Sequence, residues 1–498
     1  MLKFVLLRKF LIMSVRELEP RVIWNHFEDL NAVPRASKKE ERVRQFMIDF
    51  GNSLGLETLE DEIGNVVIKK PATAGMEDRE TIILQSHIDM VHQKNSDTNF
   101  DFDSQGIQSY VDGEWVRAKG TTLGADNGMG VAAAMSLLSS TDVVHPALEA
   151  LFTIDEETGM TGAKNLDSSM LTGKILLNLD TEDDDELSVG CAGGIDTNTT
   201  YTYKEEDVPS GFKAFDVQLR GLKGGHSGID IHLGRGNANL LMNRILFAIS
   251  ETIDLRISGL SGGSLRNAIP RETQGIIVCD ASMADQMVGA YKQLANMIVS
   301  EYSVTEPDLE IVIEEASELP AKMISRADMD RCLRAIYTTP NGVWRMSEKI
   351  PGLVETSSSL ARVIFENGVF TTKSLQRSMI ESGKADMATA VRLAYEQIGA
   401  GIVQGGEYPG WAPNPDSRIL KVLESEYKEL FQEDPKVMAC HAGLECGILG
   451  QHLPSCDMIS FGPTIRHPHS PDEKVNISSV QKFWKFLLRV LEKAPRRA

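Results

Sequence analysis

A chain of 498 residues exceeds the roughly 250 to 300 at which one hydrophobic core stops growing, so two or three domains are expected. With 42% hydrophobic and 24% charged residues and no run of ~18 apolar residues, the composition is that of an ordinary globular protein without a membrane span. The 51 Lys and Arg against 71 Asp and Glu give a net charge of −20, which argues against nucleic acid or an anionic membrane as a partner, since both are bound through basic patches.

The N-terminal MLKFVLLRKFLIM mixes basic residues with short apolar runs but lacks the sustained apolar core and small-residue cleavage site of a signal peptide. Residues 1–12 read as an extension ahead of a start near Met13. From about residue 17 to 54 the apolar spacing is helical (Val22, Ile23, Phe27, Leu30, then Val43, Phe46, Met47, Phe50). Residues 65–69, 81–85, 148–154 and 175–179 then read as strands, three of them nearly all apolar, with a helical stretch at 130–139 between them. Strands buried on both faces and separated by helices predict an α/β layer with a mixed, largely parallel sheet.

After Gly190 the texture changes to polar alternation (197–203, 214–219) and long helical patterns (283–302, 325–337), the signature of a separate α+β region. From about Ser417 the first texture returns: a helix at 419–431, apolar runs near Met438 and Met458, and a last helix at 477–491. The chain therefore reads as one domain inserted into another, with residues 1–195 and 405–498 forming the α/β domain and 196–404 the insert. The six cysteines are scattered without CxxC spacing, which fits a reducing, cytoplasmic compartment.

Residues able to carry chemistry gather at the ends of the predicted strands. Ser86-His87-Ile88-Asp89 follows residues 81–85, Asp155-Glu156-Glu157 follows 148–154, and Asp180 follows 175–179. Gly124-Ala125-Asp126-Asn127-Gly128 lies in a glycine-rich turn opening a helix. The carboxyl ends of the strands are where open α/β sheets place their sites. Taken singly, each segment is a turn or a solvated loop. Together they crowd carboxylates at one edge, which is costly unless cations bind there. Histidine and carboxylate without thiolate suits Zn²⁺, with Mn²⁺ and Co²⁺ as alternatives, and His467 or His469 could complete the set from a distant segment.

The HxD, GADNG, EE and strand-end Asp motifs, with GGHSG, LRNAIPRE, HAGLECG and HSPDE, resemble the M20 metallopeptidase family, and within it the aminoacyl-histidine dipeptidase group. The resemblance runs from about Leu18 to Leu491. It implies a zinc-peptidase catalytic domain interrupted by a lid, two divalent metal ions per chain, and hydrolysis of dipeptides, with Xaa-His among the substrates. Carried onto matching positions, Asp126 bridges the metals, His87 and Asp180 complete one site, and Glu157 and His469 the other. Glu156 matches the general base, and Asp89 the residue that orients His87. His469 is preferred to His467 because the family histidine directly precedes Ser-Pro-Asp-Glu.

The resemblance also makes His226 of the GGHSG turn a donor to the developing oxyanion. Asn267, Arg377 and Gly443 become candidate substrate contacts, Arg377 because a guanidinium fork matches a carboxylate. His441 and Glu445 of HAGLECG are expected at the site floor or in its support. A homodimer sharing His226 is left open. The rival readings are an N-acyl-amino-acid amidase or tripeptide aminopeptidase on the same scaffold, and a catalytically inactive metal- or peptide-binding protein.

Overall fold

The computed structural model describes residues 14–414 and 416–497, so the extension expected at residues 1–12 lies outside the described residues. The chain forms two compact units. The first holds the described residues up to Gly190 together with Pro413–Ala439 and the chain from Glu445 onward. The second holds Cys191–Ala412 and Cys440–Leu444.

In the first unit the apolar runs become the centre of an eight-stranded sheet. Strands Ile82–His87, Leu148–Thr153 and Ile175–Asn178 are buried at every position. They lie side by side in parallel, and Asp457–Ser460 adds a fourth parallel strand next to Ile175–Asn178. Antiparallel strands Val66–Lys70 and Glu57–Glu60 finish one edge; on the other, Glu186–Cys191 runs antiparallel to Asp457–Ser460, with Lys436–Cys440 outermost. A parallel sheet must be covered on both faces, and Ala125–Ser139 meets this need with a run of small and apolar side chains buried nearly throughout. Because the four central strands run the same way, their carboxyl ends share one edge. His87, Asp155 to Glu157, Asp180 and the segment after Ser460 all leave the sheet there.

The second unit is built on an antiparallel sheet in the order Glu310–Glu315, Phe212–Arg220, Thr273–Asp280, Arg256–Gly262, Val354–Glu366, Val369–Ser378, Gly193–Thr202, Gly401–Tyr408, with Gly342–Met346 paired to Val354–Glu366. Helices Ala238–Ser250, Ala284–Glu301, Arg326–Thr338 and Glu381–Glu396 close its own core around Phe215, Leu246, Tyr291, Leu333, Phe365 and Tyr395. Burying side chains of this size is worth roughly 1.5 to 3 kcal/mol each, enough to make the unit cohesive by itself.

The limits of this unit lie outside the 196–404 read from the sequence, for a reason in the strand pairing. Gly193–Thr202 is bonded along its length to Val369–Ser378 and pairs on its other side with Gly401–Tyr408, so the sheet claims the chain on both flanks of that range. Cys440 and Ala442 join it as well, their carbonyls accepting from Ala192 N–H at 3.0 and 3.1 Å. Among the described residues no helix is long and apolar enough to cross a membrane.

Candidate active site

The edge of the parallel sheet brings five of the sequence-predicted residues together. His87 Nε2 lies 3.1 Å from Asp126 Oδ1 and 3.6 Å from Asp180 Oδ1. His469 Nε2 lies 3.2 Å from Asp126 Oδ2 and 2.9 Å from Glu157 Oε2. The two oxygens of Asp126 thus face two different imidazoles. Donor atoms of His87, Asp126 and Asp180 fall within 4.8 Å of one another, as do those of Asp126, Glu157 and His469, and those of His87, Glu156 and Glu157. His467 is exposed and belongs to none of these groups. A further grouping, Glu40, Asp89 and Asp155, is already engaged by protein donors, with Lys38 Nζ on Asp155 and Ser37 Oγ on Asp89.

The charges show what this arrangement wants. Burial works to lower the pKa of His87, but Asp180, Asp126 and Asp89 outweigh it and hold the imidazole well above its ordinary value. Hydrogen bonds with Asp126 and Glu157 push His469 up to about 11. Burial, reinforced by Asp126 and Glu157 against the pull of His87, lifts Asp180 to about 6. Two histidines driven to hold protons between carboxylates mark a field that calls for positive charge. All-nitrogen-and-oxygen donors, in two triads sharing one carboxylate, fit a pair of divalent cations.

Glu156 differs from its neighbours. Its carboxylate takes no hydrogen bond from any described residue, and burial, with Asp180, Glu445 and Glu157 adding to it, raises its pKa well above the usual carboxylate range. Asp89 is tied to both sides of the centre. It lies 3.4 Å from His87 Nδ1 through Oδ1, and it accepts from the backbone N–H of Glu156 at 3.0 Å and of Glu157 at 3.3 Å. Ser37 Oγ donates to it at 2.8 Å. Asp89 therefore contacts the Glu156-Glu157 turn as well as the imidazole, and the first of these contacts has no sign in the sequence.

Other supporting residues also escaped sequence reasoning. Asn127 Nδ2 donates to Leu179 O at 2.7 Å and to Asp180 Oδ1, fixing that carboxylate. Glu473 and Arg35, both buried, hold the turn that carries Asp126. The HAGLECG motif splits between the units, with His441 in the second and Glu445 in the first. Glu445 is buried against Gln85 Nε2 at 2.6 Å and Thr153 Oγ1 at 2.9 Å, beneath the strand ends. His441 Nε2 lies 2.7 Å from Ser357 Oγ.

The second unit gathers His226, Arg377, Gly443 and a residue the sequence did not single out, Tyr408. His226 Nδ1 accepts from Gly228 N–H at 3.2 Å and Ile229 N–H at 3.0 Å, which places the ring proton on Nε2. Burial first, and then Arg377, lower its pKa to about 4, so the ring is neutral at physiological pH. Arg377 Nη2 lies 3.4 Å from that Nε2, two donors side by side. Arg377 Nη1 donates to Tyr408 Oη at 2.6 Å, while its buried Nε has no partner. Among the described residues no carboxylate pairs with this guanidinium, which is only 3% exposed. A Cβ at Gly443 would stand 2.9 Å from the Tyr408 ring, so this glycine lets the ring lie close. Asn267 is exposed, and its carbonyl accepts from Ser227 N–H at 2.8 Å, next to His226.

Comparison with known proteins agrees with this chemistry. Residues 83–493 match Peptidase family M20/M25/M40. The chain is 41% identical over 484 residues to the cytosol non-specific dipeptidase of Escherichia coli K12, covering 97% of this chain and 100% of that one. It superposes on the crystal structure of aminoacylhistidine dipeptidase from Vibrio alginolyticus with a TM-score of 0.93 and 43% identity, over 98% of this chain and 99% of that one. The aminopeptidase PepT of Bacillus cereus shares the fold alone, at 16% identity and a TM-score of 0.54, with 96% of this chain and 99% of that one covered. The chain is a peptide-bond hydrolase and belongs to peptidase family M20/M25/M40.

Proposed function

We propose that this enzyme hydrolyses the peptide bond of free dipeptides of broad composition, Xaa-His included, using two divalent cations of the zinc class. The observation that carries the reading is Asp126, whose two oxygens face two separate imidazole-carboxylate groups, with the unpartnered Glu156 carboxylate beside them. When bound by His87, Asp126 and Asp180 and by Asp126, Glu157 and His469, the cations would lower the pKa of water towards neutrality and polarise the scissile carbonyl.

The chain's own residues supply the rest. Glu156 takes the proton from the attacking water and passes it to the departing amine, a task suited to a carboxylate whose pKa is raised by burial. Asp89 holds His87 and the Glu156-Glu157 turn in register. In the second unit, His226 offers a neutral Nε2–H to an oxyanion, and Arg377 offers its fork to a carboxylate. Asn267 and Gly443 are proposed for the same substrate-binding role by the family resemblance, supported by the Asn267 carbonyl beside His226 and by Gly443 against the Tyr408 ring. A free dipeptide presents both an oxyanion in the making and a terminal carboxylate. The cytosol is the proposed compartment, on the scattered cysteines and the name of the Escherichia coli relative.

The test is a panel of dipeptides, tripeptides and N-acetyl-amino acids given to chelator-treated protein titrated with Zn²⁺, Mn²⁺ or Co²⁺. Turnover of dipeptides in preference to both other classes, dependent on added metal, is expected. Faster turnover of tripeptides or N-acetyl substrates would replace the reading, and metal-independent turnover would remove it.

A further inference from the structure

Two buried residues that the mechanism does not use, Glu473 and Arg35, both hold the same short turn. The Glu473 carboxylate is only 2% exposed and accepts four consecutive backbone N–H groups. Oε2 takes those of Leu123 at 2.7 Å and Gly124 at 3.0 Å, and Oε1 those of Ala125 at 2.7 Å and Asp126 at 3.3 Å. Arg35 is 1% exposed. Its Nη2 donates to Gly124 O at 2.6 Å and Asn31 Oδ1 at 3.2 Å, and its Nη1 donates to Ile88 O at 3.3 Å and Asp89 O at 3.1 Å.

The glycines of the turn follow from this packing. Gly124 has a φ of +70°, and a Cβ there would stand 2.4 Å from Arg35 Nη2; at Gly128 the same atom would be 2.8 Å away. Both positions must be bare for the guanidinium to reach in.

We infer that Glu473 and Arg35 are positioning residues that set the spacing of the proposed two-cation centre, by fixing the Asp126 turn to the His469 segment and to the His87-Asp89 segment respectively. This rests on the function proposed above. Glu473 lies four residues after His469 on the same loop, so its four hydrogen bonds tie Asp126 to the histidine that faces its Oδ2. Arg35 spans from Gly124 to the two carbonyls that follow His87, which faces Asp126 Oδ1. The bridging carboxylate is thus referenced to both histidines through main chain, independently of its own side-chain contacts. A carboxylate is an expensive choice beside Asp126, since it adds like charge to an acidic centre. It is also the side chain that offers two acceptor oxygens, enough lone pairs for four N–H groups. Serine or asparagine at 473 could satisfy only part of them.

The test uses Glu473→Gln, which keeps the shape but sets an amide donor against two N–H donors. Hydrogen exchange of the amides at 123–126, measured in chelator-treated protein, is expected to accelerate at least tenfold relative to wild type. Titration of the same protein with Zn²⁺ is expected to show affinity for at least one equivalent reduced ~10- to 100-fold, the usual cost of losing an outer partner of a metal site. At saturating Zn²⁺ the KM for a dipeptide should stay within twofold while kcat falls. Normal Zn²⁺ affinity in the variant overturns the inference, whether or not exchange accelerates, because the contact would then be structural only. Accelerated exchange in a protein whose wild type binds no divalent ion would instead overturn the proposed function and leave the clamp as a main-chain device. If Glu473→Gln does not fold, Glu473→Asp, which retains charge but withdraws by one methylene, is read by the same three measurements.

Discussion

The α/β unit and the α+β unit carry opposite deficits. At the sheet edge of the first, Asp126, Glu156, Glu157 and Asp180 press together, and both histidines are driven to hold protons. In the second, Arg377 is buried with no carboxylate partner among the described residues, beside a histidine whose tautomer turns its N–H towards the guanidinium. Either cluster alone would be a liability to folding, since uncompensated buried charge costs several kcal/mol. The two clusters match the proposed roles, cations at the first and an anionic group at the second. A metallo-dipeptidase acting on a free peptide needs both abilities.

The comparison breaks most decisively at Asp126. One carboxylate serves both triads, so Asp126→Ala should lose both metal equivalents, each weakened by more than the ~10- to 100-fold that an outer partner costs. Metal analysis after gel filtration reads this directly, and two ions retained would dissolve the shared-carboxylate reading. Glu156→Gln is the next largest effect. It should keep metal and fold yet lower kcat by ~10²- to 10⁴-fold, the span of a positioned general base. Near-normal turnover with metal in place would move the base elsewhere.

His226→Ala probes the donor-rich unit with the acceptor-rich one left whole. Two metals should bind as in wild type, with kcat lowered by roughly 10²- to 10³-fold and a smaller change in KM, as for removal of one oxyanion donor. Lost metal would make His226 a ligand and put His469 in doubt.

The acceptor-rich site was the easier of the two to read from sequence. Three of its segments follow runs that read as buried strands, and a single rule about strand ends then places His87, Glu156, Glu157 and Asp180 on one edge, while Asp126 comes from a glycine-rich turn opening a helix. His469 needed the family pattern, because the Asp457–Ser460 strand that feeds its loop is short and follows a long insert. The supports were hidden for a different reason. Arg35 lies between two helices, and Glu473 looks like one acid in a polar loop, so neither has a local pattern to betray it. Apart from Asn31, their partners are main-chain groups about 50 to 350 residues away, which only the folded register brings near. Cys440–Leu444 carries no change of texture to show that these five residues leave one unit for the other.

Tyr408 offers a finer cut through the donor cluster. Its hydroxyl accepts from Arg377 at 2.6 Å, so Tyr408→Phe removes one neutral partner from a buried guanidinium while leaving the ring against Gly443. A hydrogen bond of this kind is worth about 0.5 to 1.5 kcal/mol. KM for dipeptides should rise ~2- to 10-fold with kcat little changed. A fall in kcat with constant KM would tie Tyr408, through Arg377, to the transition state instead.

The smallest expected effect is a flat line. Burial and Arg377 hold the His226 pKa at about 4, below the ordinary value of ~6.5. Between those two values the unfolded chain binds more protons than the folded one, so this group's contribution to stability is full above pH 6.5 and lost as pH falls through about 4. Over the working range above pH 5.5 the ring is neutral, its Nδ1 engaged by two backbone N–H groups and its Nε2–H unchanged. The ratio of wild-type to His226→Ala kcat should therefore stay constant within about twofold from pH 5.5 to 8.5, because the donor lost in the variant is the same donor at every pH. Had His226 worked as an imidazolium with an ordinary pKa, the ratio would fall about tenfold per unit above pH 6.5; had it worked as a base, it would fall as steeply below. A sloping ratio in either direction would thus replace the neutral donor with a titrating group.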